Sequence, residues 1–197
     1  MLLCAAFFTL HSSLFTSCSE DDATEDEYAD WQLRNEVFFA SLSDSLSANP
    51  AQWQRILNYS LSGDADHDAA SYIYVKKLEQ GTGTESPCYT DSVRLSYQGR
   101  LIPTTTYPEG HIFDSTLYGS YSLATTATAK RVVSGVVDGF ATAVQHMHCG
   151  DRWRVYIPYQ LGYGKTEQNS IPAYSTLIFD ITLVDFCHAG EVLKPWS

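Results

Sequence analysis

An α+β fold is predicted for this chain: an antiparallel sheet wrapped on one short helix, with a helical extension ahead of it. Three observations predict it. Apolar residues recur at helical spacing up to Tyr59, strict alternation takes over from Tyr72, and one helical interval near Asp138 interrupts the alternation. A sheet with one apolar face must bury that face, and a helix laid against it does so.

The 197 residues suit one domain of ordinary size plus an extension. With 44% apolar and 13% aromatic residues the chain can build a real core, which excludes wholesale disorder. A net charge of −11 argues against a nucleic acid partner, whose phosphates need a basic surface. Much of that charge sits in the run Glu20, Asp21, Asp22, Glu25, Asp26, Glu27, and residues 18–27 read as a solvated acidic tether.

Residues 1–17 read as a signal peptide of the lipoprotein type. The apolar stretch LLCAAFFTL is too short to span a bilayer as a mature helix. It leads through LFTS to Cys18, the place of the cysteine that lipoprotein processing lipidates. Two departures stand out: no basic residue precedes the apolar stretch, and Phe15 stands where Leu is commoner. The acidic residues after Cys18 resemble the surface-export signal of lipoproteins in Bacteroidetes-like bacteria. The expectation is a membrane anchor through a lipid on Cys18, with the protein in the cell envelope on the periplasmic or surface face of the outer membrane. A plain secretory signal cleaved nearby is the alternative. Apart from Cys4 and Cys18, three cysteines remain: Cys88, Cys149 and Cys187. One disulfide plus a free thiol, or three unreacted thiols, are both open in a compartment that permits bridges.

Residues 28–48 read as an amphipathic helix with Trp31, Phe38 and Leu42 on one face and Phe39 and Leu46 alongside. Asn49-Pro50 breaks it. Residues 51–59, with Trp53, Ile56 and Leu57, read as a second short helix, and 61–70 as a polar linker. This extension, 28–70, can pack on the main domain or pair with another copy through residues 28–60. YIYVKKLE from Tyr72 is a strand, followed by the turn-rich GTGTESP. In DSVRLSYQGRLI, Val93, Leu95, Tyr97, Gly99 and Leu101 face one way and Arg94, Ser96, Gln98 and Arg100 the other, as in a sheet with one buried side. RWRVYI turns Trp153, Val155 and Ile157 inward, and LIFDITLVDF turns Leu177, Phe179, Ile181 and Leu183 inward. Between them residues 138–146 form the single helix, with Phe140, Val144 and Met147 as its apolar stripe. Residues 71–188 make the principal domain and 189–197 a tail.

The most specific stretch runs from Val136 to Phe179: VVDGFATAVQHM, then GDRWRVYIPYQLGYGK, then IPAYSTLIF. With Phe113-Asp114 upstream, it resembles the FKBP-type peptidyl-prolyl cis-trans isomerases, in a bacterial lipoprotein form. The resemblance covers about Tyr72 to His188. It implies an isomerase that acts on proline-containing polypeptides, uses no cofactor or metal, assists folding of exported proteins and binds macrolide inhibitors.

That chemistry needs a dry cup rather than a nucleophile. The imide before proline rotates over a barrier of about 18–20 kcal/mol because resonance holds it flat. A twisted imide has lost that resonance and has a less polarised carbonyl, so an apolar pocket suits it better than water does. By resemblance, Tyr97 and Phe113 form one wall, Val136, Val137 and Phe140 the floor, and Phe179 and Ile171 the far side, with Phe140 where the family most often has Trp. Asp114 is the acid at the rim, the Tyr163 hydroxyl donates to a substrate carbonyl, and the Val137 and Ile171 N–H groups are further donors. Two departures bear on activity. Arg131 stands where the family usually has a pocket Phe, and Ser170 replaces an apolar contact. A second reading therefore stays open: a binding or chaperone module that keeps the fold with little or no turnover.

Other signals are weak. His146, His148 and Cys149 lack a second ligand pair at recognisable spacing. Asp64, Asp66 and Asp68 mimic a calcium loop, but Ala69 replaces its Gly and Val75 its bidentate Glu. Gly81-Thr82-Gly83 is a turn rather than a dinucleotide motif.

Overall fold

The computed structural model describes residues 26–117, 119–122 and 126–195. The signal segment 1–17, Cys18 and most of the acidic tether lie outside the described residues. Among the described residues, seven strands form one sheet: β1 (Trp53–Leu57), β2 (Tyr72–Glu79), β3 (Ser92–Arg100), β4 (Ile112–Ser115), β5 (Ala129–Val132), β6 (Arg152–Ile157) and β7 (Leu177–Cys187). All pairs are antiparallel, in the order β1-β2-β6-β7-β3-β4, and β5 pairs with the first half of β3. Two α-helices among the described residues accompany the sheet, α1 (Trp31–Ala48) and α2 (Asp138–Val144). The α+β expectation holds.

The expected second helix over 51–59 is instead strand β1. Its spacing of Trp53, Ile56 and Leu57 fits one helical turn, but so short a helix barely repays its nucleation. The free edge of β2 offers a full ladder, with Trp53 opposite Lys76 and Leu57 opposite Tyr72. Side chains reinforce the choice: the Trp53 ring stacks on Tyr156 at 5.4 Å, and the Arg55 guanidinium sits 4.1 Å from the Tyr72 ring centroid.

The sheet is covered on both faces, contrary to the single buried side expected. Arg94 and Ser96 face away from the main core yet are buried. The Arg94 guanidinium donates to the Lys194 carbonyl at 2.5 Å, and the Ser96 hydroxyl meets Thr116 and Thr126. The segment after β4 and the C-terminal tail therefore cover what alternation alone assigns to water. On the same face Asp180 accepts a bidentate pair from Arg154 at 2.6 and 2.8 Å, which answers most of the penalty of burying that carboxylate.

Neighbouring residues on a strand point to opposite faces, and β6 uses this to hold one helix on each. Ile157 meets α2, whose Gly139 lies so close that a Cβ there would come within 2.3 Å of the Ile157 Cγ2. Tyr156 turns the other way, to Phe38 of α1 at 6.2 Å, while Phe39 meets Tyr74 edge-on at 5.3 Å. Thus α1 packs on the chain's own domain. Trp31, Phe39 and Leu42 are buried as the apolar pattern requires, but so is Asn35. Its amide donates to the Trp31 carbonyl at 2.7 Å and accepts the Thr176 N–H at 2.7 Å. The Trp31 indole N–H donates to the Ser175 hydroxyl at 2.8 Å. These bonds fix the segment that leads into β7. Among the described residues no disulfide forms, and Cys88, Cys149 and Cys187 are free thiols.

Candidate active site

Tyr97 and Phe179 come together because β3 and β7 run antiparallel with Gly99 opposite Phe179 and Tyr97 opposite Ile181. The first turn of α2 brings Phe140 to the same place. Phe179 is the hub: its ring meets Phe140 at 5.1 Å, Phe113 at 5.4 Å and Tyr97 at 6.2 Å, and Tyr97 meets Phe140 at 6.0 Å. All four contacts are edge-to-face, the arrangement that sets a ring's positive edge on its neighbour's negative face. Gly99 makes this possible, since a Cβ there would lie 2.5 Å from the Phe179 ring and 2.6 Å from that of Phe113.

These rings line or back an open cavity of about 410 Å³. Tyr97, Phe140 and Phe179 contribute its aromatic walls, Val136 and Val137 its floor, and Asp114 and Tyr163 its rim. Seven of the nine residues expected from the sequence therefore converge. Phe113 packs edge-on against Phe179 but does not itself line the cavity. Ile171 is buried but does not line it either. The expectation that the Ile171 N–H is a ligand donor fails: it donates to the Gln168 carbonyl at 2.9 Å, and Gln168 returns the bond at 3.0 Å. That local two-residue bridge consumes the donor. The Val137 N–H, just ahead of α2, has no acceptor among the described residues.

The polar groups form a short chain. The Tyr97 hydroxyl donates to the Asp114 carboxylate at 2.8 Å and accepts from the Arg131 guanidinium at 3.0 Å. Its hydrogen-bonding capacity is thereby used internally. The Tyr163 hydroxyl has no partner among the described residues, and the residue is 40% exposed, so it is the phenol left to meet a ligand. Burial pushes the Tyr97 phenol above its ordinary range, and the bond to Asp114 adds to the effect. Burial raises Tyr163 as well, with the Asp114 charge adding a smaller push. Both shifts favour the neutral, donating phenol.

Arg131, placed by sequence on a pocket wall, keeps its head at the exposed rim and lies 5.9 Å from the Tyr97 ring centroid. It adds a cation to the cup without sinking into it. Ser170 is exposed and does not line the cavity. Gly135 also lines the cavity, and sequence reading missed it. Its signal was present in the Val-Ser-Gly run just before Val136.

Comparison with known proteins agrees with this geometry. Residues 83–184, just over half of the chain, match the family described as FKBP-type peptidyl-prolyl cis-trans isomerase. The FKBP-type 22 kDa peptidyl-prolyl cis-trans isomerase of Escherichia coli is 32% identical over 139 residues, 70% of this chain and 61% of that protein. The Outer membrane protein MIP of Legionella longbeachae is 34% identical over 115 residues, 58% of this chain and 44% of that protein. The chain thus spans less than two thirds of the length of either relative. A crystal structure of a peptidyl-prolyl cis-trans isomerase from Pseudomonas syringae pv. tomato superposes with a TM-score of 0.55 at 24% identity, covering 81% of this chain and 96% of that one, a likeness of fold. The chain belongs to the FKBP-type peptidyl-prolyl cis-trans isomerase family.

Proposed function

We propose that the cavity bounded by Tyr97, Phe140 and Phe179 catalyses cis-trans isomerisation of Xaa-Pro bonds in exported polypeptides. The carrying observation is the convergence of three edge-to-face rings and two unpaired donors, the Val137 N–H and the Tyr163 hydroxyl, on one cup. The rings exclude water from a proline and favour the twisted imide over the flat one. The two donors hold the flanking carbonyls of a turn. Asp114 acts through Tyr97, whose ring it fixes by accepting the phenol hydrogen bond. Each 1.4 kcal/mol by which the cup favours the twisted state over the ground state is worth about tenfold in rate. A protease-coupled assay on Xaa-Pro peptides tests the reading, and turnover no faster than the uncatalysed rate sinks it.

Tyr163→Phe is expected to lower kcat/KM by about three- to tenfold, the worth of one hydrogen bond made to the reacting chain. Because that hydroxyl has no partner among the described residues, the urea midpoint should stay at the wild-type value. Unchanged kcat/KM would move the substrate's carbonyl elsewhere.

The second reading, a binding or chaperone module with little turnover, draws on Arg131, whose charge at the rim keeps water nearer the cup than a Phe would. Macrolide binding with no acceleration in the same assay would favour it.

We further propose an envelope setting, with the chain anchored through a lipid on Cys18. The acidic residues after that cysteine support this, and the Legionella relative is named an outer membrane protein. Among the described residues no helix is long and apolar enough to cross a membrane. Mass analysis after expression in a lipoprotein-processing host should find diacylglycerol on Cys18; an unmodified, cleaved N-terminus would refute the anchor. Pairing of two copies through residues 28–60 draws on Leu33 and Val37, one turn apart on α1 and each 61% exposed. A sedimentation coefficient that stays monomeric at high concentration removes it.

A further inference from the structure

On the side of β3 where the chain enters it, away from the Phe179 cluster, three metal-ligating side chains meet. The register of the sheet puts them there. Ser92 pairs with Cys187 at the end of the β3–β7 ladder, so Asp91 and His188 extend past that last pair side by side. A turn closed by the Asp91 N–H on the Cys88 carbonyl at 3.1 Å brings Cys88 back over the same spot. The Cys88 sulfur, an Asp91 carboxylate oxygen and a His188 ring nitrogen lie within 4.8 Å of one another.

Asp91 is the anchor. Its side chain is only 2% exposed, while Cys88 and His188 are open to solvent. Its Oδ2 accepts the Cys88 N–H at 2.8 Å and faces the His188 Nδ1 at 2.9 Å. Among the described residues no Lys or Arg pairs with it. A buried carboxylate that faces no Lys or Arg and leans on one imidazole is an expensive arrangement that a metal ion would relieve. His188 is held in turn: its backbone N–H donates to the Glu191 carboxylate at 3.2 Å, and the Phe186 ring lies edge-on to its imidazole at 5.6 Å.

We propose that Cys88, Asp91 and His188 bind a divalent, borderline-soft cation of the zinc class, with a fourth position left to water. Thiolate, imidazole and carboxylate form the mixed donor set that such an ion accepts. Bonds of about 2.0–2.3 Å in a tetrahedron put donor atoms about 3.3–3.8 Å apart. The exposed Cys88 and His188 side chains reach that spacing by small rotations, and Asp91 need not move. On binding, the Cys88 thiol releases its proton to solvent and the metal takes the place of the His188–Asp91 hydrogen bond, so affinity falls as pH falls. The bound ion ties the 88–91 turn to the segment after β7. It also acts on the route to Val136, because the Asp91 carbonyl accepts the Val133 N–H at 3.0 Å.

The test uses the full chain, stripped with a chelator and kept reduced with a phosphine, titrated with Co²⁺ alone. One equivalent should produce a thiolate-to-cobalt charge-transfer band together with the strong visible bands of a tetrahedral ion. Cys88→Ser should abolish the charge-transfer band, and His188→Ala should weaken binding at least about tenfold. His148→Ala should change neither; its ring faces Asp151 at 3.5 Å in a separate pair. Zn²⁺ should raise the thermal midpoint of the wild-type chain and leave that of Cys88→Ser where it was. Absence of the thiolate band, or its survival in Cys88→Ser, overturns the assignment. So does a Zn²⁺-induced shift of the same size in both proteins.

Discussion

Phe179→Ala is expected to lower kcat/KM by more than about tenfold and to destabilise the fold by about 3–5 kcal/mol. Among the described residues Phe179 is the one ring that touches Tyr97, Phe113 and Phe140 together, and it is almost wholly buried. Truncation removes the wall shared by all of them and leaves a hole that rigid strand neighbours cannot close. Urea unfolding measures the stability, and the protease-coupled assay measures the rate on protein shown to be folded. Phe179→Leu, which keeps more of the volume, should recover much of the stability while the rate stays low. An alanine variant that folds and turns over at the wild-type rate would disconnect this cavity from catalysis.

Gly99→Ala is the second large effect, and it works by crowding instead of loss. A single methyl would lie 2.5–2.7 Å from ring atoms of Phe179 and Phe113, below any contact those atoms tolerate. Both rings are flanked by paired strands, so they cannot retreat freely. Overpacking of this kind costs about 1–3 kcal/mol. The displaced Phe179 ring should also reshape the cup, so kcat/KM is expected to fall together with the denaturation midpoint. Stability and rate both unchanged would mean that the two rings do not pack over residue 99 in solution.

Sequence made the cup legible because its parts are written locally. Alternation assigns Tyr97, Gly99 and Phe179 to one face, and the helical stripe assigns Phe140 to the same core. What escaped depends on partners far along the chain. β1 forms because β2 offers it an edge, and nothing within Trp53–Leu57 announces that. Arg94 looks solvated until the tail arrives from 100 positions away. Asn35 looks like a blemish in an apolar stripe until Thr176 supplies its bond. The Ile171 N–H bonds within its own loop for a different reason. Its fate rests on the backbone path of one loop, where the bridge to Gln168 forms and Asn169 takes a positive φ of 51°. The link from Arg131 through Tyr97 to Asp114 likewise joins three separate strands, so only the assembled sheet reveals it.

The bond between Asn35 and Thr176 bridges 141 positions, and it sets an order of events during synthesis. Helix α1 carries a slot that stays empty until Thr176 has been made. Contacts so distant along the chain form slowly, because a large loop must close before any reward is collected. Docking of α1 therefore waits on a residue made 141 positions later, so the seating of that helix belongs to the late stages of folding.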